Sequence, residues 1–313
     1  MKKTEIETDE KPPGSLFVRE SDIGNNFKKP NLFFKYEGYN PTGTQKDRIS
    51  EEHVKNAISQ EYDTISVATC GNYGVSIAYY ANKYGIKAIV GIPSEYSVSR
   101  RDEIASYGAE LVEEPIKYEE MVDLIRKRAK IHSWYDASPG SVNSYIDYAS
   151  YGNIANEIYD SMKNIPDYVS VPVGNGTTLY GIYTGFQNLY KRKLIDKIPK
   201  FIANSTINGN PIIYSFLNGF KKIRDLNPGN IKETPIDEPL VAYRSYDGQN
   251  ALDVLYETHG YALYSTDDEM KNLSTRLMEF YNLSVLPASC SALSGALRVI
   301  NKETCVVLLT GKC

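Results

Sequence analysis

The sequence predicts an α/β fold with mostly parallel sheets, and three observations carry that expectation. Short, apolar, β-branched runs alternate along the chain with stretches of helical length. Strand then helix, repeated, marks βαβ units, whose strands run parallel. The chain has 313 residues, room for about two domains at ~150 residues each. Nothing repeats at a fixed period, which argues against a solenoid.

The strand-like runs are NLFFKYE from Asn31, TISVA from Thr64, KAIVGI from Lys87, AELVE from Ala109, YVSVPV from Tyr168, KFIANS from Lys200, YALYS from Tyr261 and CVVLLT from Cys305. Most are bounded by Gly, Pro or Asn. Helical stretches are expected at Val75–Tyr84, Ser99–Ser106, Tyr118–Lys130, Ile154–Met162, Leu179–Tyr190, Asp267–Phe280 and Ser291–Ile300. Residues 1–14 read as a mobile arm. The stretch Thr206–Leu240, rich in Asn, Gly, Pro and Lys, reads as a long excursion: a lid, an interface element or a disordered loop.

A net charge of −4 argues against a nucleic-acid partner, which needs a basic face. It leaves room for a phosphorylated substrate, because a local pocket can be positive on an acidic protein. Four cysteines lie far apart without a C-x-x-C pair, so a reduced, cytoplasmic setting is the simplest reading. The N-terminus is polar, unlike a signal peptide, and no apolar run approaches the ~20 residues of a membrane span.

Ligands of a doubly wound sheet gather where strands end and helices begin, and four such junctions are informative. In EGYNPTGTQKDR (Glu37 to Arg48) a turn follows a strand, and Thr42 or Thr44 can cap the next helix. Lys46 then falls in that helix's first turn, against the macrodipole. Such a place favours a neutral, reactive amine, although a solvated surface lysine would look the same. In VATCGNYGVSIAYYA (Val67 to Ala81) the backbone N–H groups of a helix start can hold a carboxylate, and Asn72 can bond a ring hydroxyl. A plain glycine-containing turn fits equally, and Cys70 also admits a cysteine nucleophile.

In VPVGNGTTLYG (Val171 to Gly181) two glycines and two hydroxyls open a helix, which makes a phosphate cradle. It matches neither the Walker A loop nor the dinucleotide fingerprint. In VVLLTG (Val306 to Gly311) a buried strand brings Thr310 to the carboxyl end of the sheet. There it can bond a ring nitrogen or nearby backbone.

In this order, the four junctions resemble the fold-type II pyridoxal-phosphate enzymes, with the tryptophan synthase β-like fold. NPTGTQKDR (Asn40–Arg48) is most similar to the threonine synthases. The likeness continues through ATCGNYG (Ala68–Gly74), VPVGNG (Val171–Gly176), PASCSALSG (Pro287–Gly295) and Val306–Gly311. The resemblance implies two open three-layer α/β domains. Residues 1–48 and 150–313 would form the larger, cofactor-binding one and 49–149 an inserted smaller one. It implies pyridoxal 5′-phosphate as cofactor, held by Lys46 as a Schiff base, with Lys46 later carrying protons.

It implies further that Asn72 meets the cofactor's phenolic oxygen and that Gly174, Asn175, Gly176, Thr177 and Thr178 hold its phosphate. Thr310 would face the ring nitrogen, and Thr69, Cys70, Gly71, Asn72 and Tyr73 would clasp the carboxylate of a small amino-acid substrate. A homodimer is implied as well. The implied reaction is that of a threonine synthase: phosphate leaves O-phosphohomoserine and water adds at the β-carbon. A β-replacement or elimination enzyme (cysteine or cysteate synthase, serine or threonine dehydratase) and a non-catalytic cofactor-binding protein are the alternatives. Gln45, Cys70 and Leu286 depart from the family's usual residues, which are Phe, Ser or Thr, and an acid.

Overall fold

The computed structural model describes residues 15–69, 71–94 and 98–313. The arm expected at residues 1–14 and Cys70 lie outside them. The first elements are β1 (Leu16–Arg19), α1 (Glu20–Ile23), β2 (Leu32–Tyr36) and α2 (Lys46–Ser59). Next come β3 (Thr64–Ala68), α3 (Asn72–Tyr84), β4 (Lys87–Pro93), α4 (Val98–Ser106), β5 (Glu110–Glu114), α5 (Tyr118–His132) and β6 (Tyr135–Asp136). The chain then runs through α6 (Ser144–Met162), β7 (Tyr168–Pro172), α7 (Thr177–Lys191), β8 (Lys200–Thr206), α8 (Pro211–Leu217) and α9 (Gly248–Glu257). It ends in β9 (Tyr261–Ser265), α10 (Asp267–Tyr281), α11 (Ser291–Val299) and β10 (Cys305–Leu309).

Two sheets form among the described residues. One has the order β1-β2-β10-β7-β8-β9, the other β5-β4-β3-β6. Every pairing is parallel except that of β1 with β2. All strands of the smaller sheet come from between α2 and α6, and the larger sheet takes strands from either side of that stretch. The last strand, β10, lies between β2 and β7. Every residue of β3 and of β10 is buried, as expected of parallel strands covered on both faces. No helix among the described residues is long and apolar enough to cross a membrane.

The α/β expectation holds, and each expected strand appears within one residue of its expected bounds. Strands β1 and β6 and helices α1, α8 and α9 had no counterpart in the sequence reading. Helix α6 begins ten residues before the expected Ile154. The stretch 206–240 is not a disordered loop. Asp237, fully buried, accepts hydrogen bonds from Thr206 Oγ1 (2.6 Å), Asn208 Nδ2 (2.7 Å) and Thr234 N (2.8 Å). Asn210, also fully buried, donates through Nδ2 to the carbonyls of Val173, Gly174 and Leu240. These two polar residues face inward and pin the stretch to the sheet.

Beneath the start of α2 lies a group of four charges, of which Glu37 and Lys35 are buried and Arg48 and Glu157 partly exposed. Glu37 and Lys35 are 0 and 1% exposed. Lys35 Nζ bridges Glu37 Oε1 (2.8 Å) and Glu157 Oε2 (2.7 Å). Arg48 donates to both oxygens of Glu37 (2.6 and 3.0 Å) and both oxygens of Glu157 (2.6 and 2.7 Å). Two cations meet two anions, so no net charge is buried. Burial pushes the Glu37 and Glu157 carboxyls up, but the charges and hydrogen bonds of Arg48 and Lys35 outweigh it. Both end below their ordinary range, Glu157 at about 2.

Removing one partner strands a charge in the interior, so Arg48→Met should cost about 3–5 kcal/mol in urea unfolding. A carboxyl held low when folded stabilises the protein fully above its unfolded value of 4.5. That stability is lost as pH falls toward about 2. Unfolding free energy measured from pH 6 to 2.5 should therefore fall less steeply in Glu157→Gln than in the wild type.

Candidate active site

At the carboxyl end of β2 the chain turns before entering α2. Gly43 N donates to Asn40 O at 2.8 Å, which closes the expected Asn40–Gly43 turn. The turn is stitched to the end of β10. Glu37 N donates to Leu309 O (2.8 Å), Gln45 N to Thr310 O (2.8 Å) and Lys312 N to Gly43 O (2.9 Å). Buried Asp47 accepts from Thr42 N (2.8 Å), Thr42 Oγ1 (2.7 Å) and Ser76 Oγ of α3 (2.7 Å). Burial pushes the Asp47 carboxyl up, and these hydrogen bonds offset only part of it.

Neither threonine is the N-cap of α2, which is Gln45: Thr44, one residue earlier, accepts from Lys46 N through Oγ1 at 3.2 Å, and the Thr42 hydroxyl is spent on Asp47. Lys46 is the first residue of α2. Its Nζ lies 5.1 Å from the ring centre of Tyr73 and 5.9 Å from that of Tyr151, within cation–π range.

The second junction joins β3 to α3. Thr69 N donates to Gly91 O (3.0 Å), and Thr69 Oγ1 accepts from Gly71 N (3.1 Å). Asn72 opens α3. The Tyr73 hydroxyl donates to Ala137 O at 2.9 Å, so Tyr73 offers Lys46 its ring while its hydroxyl holds the loop.

The third junction leads β7 into α7. Gly176 has φ +90°, a conformation that favours glycine. A Cβ on Gly174 would stand 2.4 Å from Pro239 O, because the backbone near residue 239 presses on this turn. Thr177 Oγ1 donates to Asp247 Oδ2 (2.5 Å), Asn175 Nδ2 to Tyr118 Oη (3.3 Å), and Gln45 Nε2 to Thr178 Oγ1 (3.1 Å). Burial pushes the Asp247 carboxyl up, and the hydrogen bonds from Thr177 and Tyr148 offset part of that. At the fourth junction, Thr310 N donates to Ser289 Oγ at 2.6 Å.

One cavity of about 330 Å³ joins the four junctions, a size typical of small-molecule sites. Lys46, Thr69, Gly71, Asn72, Tyr73, Gly174, Asn175, Gly176, Thr177, Thr178 and Thr310 all line it. Of the expected site residues only Cys70 is missing from this set, since it lies outside the described residues. The first residues of α2, α3 and α7 meet here. Three helix N-termini favour negative charge.

Gln45, Arg100, Tyr118, Glu238 and Ser289 also line the cavity. Ser289 sits in the PASC stretch already singled out. Arg100 and Glu238 carry no local signal, because only the folding of distant segments brings them to this wall. The residues fit pyridoxal 5′-phosphate. A lysine amine shares the cavity with a glycine-rich helix start that a side chain at Gly174 would fill. At the same wall, Gln45 Oε1 and Asn175 Oδ1 are buried without hydrogen-bond partners.

The chain belongs to the pyridoxal-phosphate dependent enzyme family, whose profile matches residues 17–311. Its cofactor is pyridoxal 5′-phosphate. It is similar to the threonine synthase of Methanocaldococcus jannaschii, with 29% identity over 299 residues that cover 91% of this chain and 72% of that one. Its fold is that of an L-serine ammonia-lyase from Rhizomucor miehei, with a TM-score of 0.79, 17% identity, and 96 and 94% of the two chains covered. It is likewise that of a serine racemase from Dictyostelium discoideum, with a TM-score of 0.76, 20% identity, and 96 and 92% covered.

Because backbone blocks a side chain at Gly174, Gly174→Ala should push residues 239–240 off the cradle, at a cost on the order of 1–3 kcal/mol. Titration of the apoprotein with pyridoxal 5′-phosphate should show an affinity roughly 5- to 150-fold lower, as that energy implies. The far-UV circular dichroism should stay unchanged.

Proposed function

We propose that the protein is a threonine synthase-like lyase that releases phosphate from O-phosphohomoserine and adds water at the β-carbon to give threonine. The observation that carries this reading is the cation content of the cavity. Among the described lining residues Lys46 and Arg100 are the cations, in addition to three helix N-termini. That is enough positive character for a cofactor phosphate, a substrate carboxylate and a second phosphate. Similarity to threonine synthases over most of the chain supports the same reading.

When bound, pyridoxal 5′-phosphate supplies an electron-withdrawing ring that stabilises negative charge at the substrate's α-carbon. In this reading Lys46 Nζ is its covalent anchor, and once released Nζ takes and returns protons at the neighbouring carbons. Gly174 to Thr178 hold the cofactor phosphate with backbone N–H groups, as helix starts do. Asn72 bonds the phenolic oxygen. Thr69, Gly71, Asn72 and the first turn of α3 bind the substrate carboxylate, with Cys70 in the same loop. Thr310 presents a neutral hydroxyl to the ring nitrogen. Arg100, which is paired with Glu103, turns to the substrate phosphate. The reading includes a homodimer in the cytoplasm, with residues 49–149 as an inserted domain.

Incubation with O-phosphohomoserine should release phosphate and threonine in equal amounts. Consumption of O-phosphoserine or O-acetylserine with neither product from O-phosphohomoserine would replace this reading with β-replacement. A cofactor absorbance band that no amino acid shifts would make the protein a binding protein. Borohydride reduction followed by peptide mapping should label Lys46. Arg100→Met should raise KM for O-phosphohomoserine by about tenfold or more, the worth of a charged hydrogen bond, and should change turnover of unphosphorylated L-threonine less.

A further inference from the structure

Gln45, the residue before Lys46, has a polar surrounding that its neighbours do not fully satisfy. It is 7% exposed and belongs to the cavity wall. Its backbone N–H donates to Thr310 O at 2.8 Å, and its side-chain Nε2 donates to Thr178 Oγ1 at 3.1 Å. One residue therefore ties the start of α2 to the end of β10 and to the start of α7. Its Oε1 is buried without a partner. Such groups are rare in folded proteins, because desolvation is not compensated. A leucine or methionine would fill this space without that penalty. The amide is therefore kept for what its other end does.

That other end acts on a hydroxyl. A threonine hydroxyl carries one proton to donate and two lone pairs to accept with. Gln45 Nε2 is a pure donor and can only occupy a lone pair of Thr178. The Thr178 proton is thereby left for another acceptor. The Tyr151 hydroxyl is a second acceptor within reach, near enough to Thr178 for hydrogen bonding to act on it, though short of a bond of ordinary geometry. The acceptors open to the Thr178 proton are Tyr151, nearby backbone and a ligand in the cavity, and of these only a phosphate would be charged. Thr178 is the second residue of α7, where the helix start already favours an anion.

We propose that Gln45 is a positioning residue of the phosphate cradle: by donating to Thr178 Oγ1 it commits the Thr178 hydroxyl proton to the cofactor's phosphate. The inference rests on the reading of Gly174 to Thr178 as that cradle. It does not depend on which amino acid the enzyme transforms. A phenylalanine at position 45, or any side chain without a donor, would leave Thr178 free to turn its proton onto backbone or Tyr151.

The test compares pyridoxal 5′-phosphate with pyridoxal, which lacks the phosphate. Dissociation constants are measured by fluorescence quenching of the apoprotein for the wild type, Gln45→Met, Gln45→Glu and Thr178→Val. The wild type should prefer the phosphorylated form. Gln45→Met should weaken pyridoxal 5′-phosphate about tenfold, as loss of a hydrogen bond to a charged group does, and leave pyridoxal within about twofold, since pyridoxal lacks that charged acceptor. Gln45→Glu, whose carboxylate would take the Thr178 proton, should lose more.

Gln45→Met combined with Thr178→Val should bind no worse than Thr178→Val alone, because both changes remove one shared interaction. The ³¹P resonance of bound cofactor should move in Gln45→Glu, which keeps the reading testable if Gln45→Met folds poorly. A wild-type preference left undiminished in Gln45→Met, which includes equal losses for both ligands, would overturn the inference alone. A wild type without preference would overturn the cradle reading and this one with it.

Discussion

Glu37 sits fully buried between Lys35 and Arg48, and the turn that presents Lys46 is built on that contact. A lone carboxylate in the interior would be untenable. Two cations satisfy it, and Glu157 balances the second one. Arg48 is two residues past Lys46 in α2, so the ion group holds the helix start from below. The stitch to β10 holds it from the side through Gln45 and Thr310, and Asp47 ties it to α3 through Ser76. The anchoring of this turn thus falls to residues 45, 47 and 48, on either side of Lys46.

Much of this could be read from the sequence, for definite physical reasons. Strands β3 and β9 appear at the expected bounds because their apolar, β-branched and aromatic residues are flanked by turn formers on both sides. Lys46 was legible as a residue in the wrong place for its charge, and the cradle as glycine and threonine at a helix start. The antiparallel edge strand β1 was not legible, because four residues of LFVR make no pattern of their own. Nor was β6, whose two residues are a strand only beside β3. The first half of α6 is rich in Ser and Tyr, which give no clear apolar stripe.

The region 206–240 misled for a different reason. Its Asn, Gly, Pro and Lys read as a long excursion, whereas Asp237 and Asn210 within it are buried and hydrogen-bonded to nearby groups. Composition reports what a residue can bond, not whether water or protein will be the partner. Pro235, Glu238, Pro239 and Leu240 thereby become walls of the cavity. The shared fold of an ammonia-lyase and a racemase makes the same point at a larger scale. The frame holds a cofactor, and the side chains around it choose the reaction.

The placement of β10 carries a consequence for how the molecule comes into being. Leu32–Tyr36 pairs with Cys305–Leu309, so the centre of the larger sheet joins segments about 270 positions apart. Contacts that distant are slow to form. Until β10 arrives, β2 and β7 each present an apolar edge with unpaired backbone groups, the kind of surface that recruits other chains. Thr310 and the stitch to Gln45 arrive with the same strand. A nascent chain therefore passes through a stage with an open, sticky sheet, and one insertion event closes the sheet and sets the stitch together.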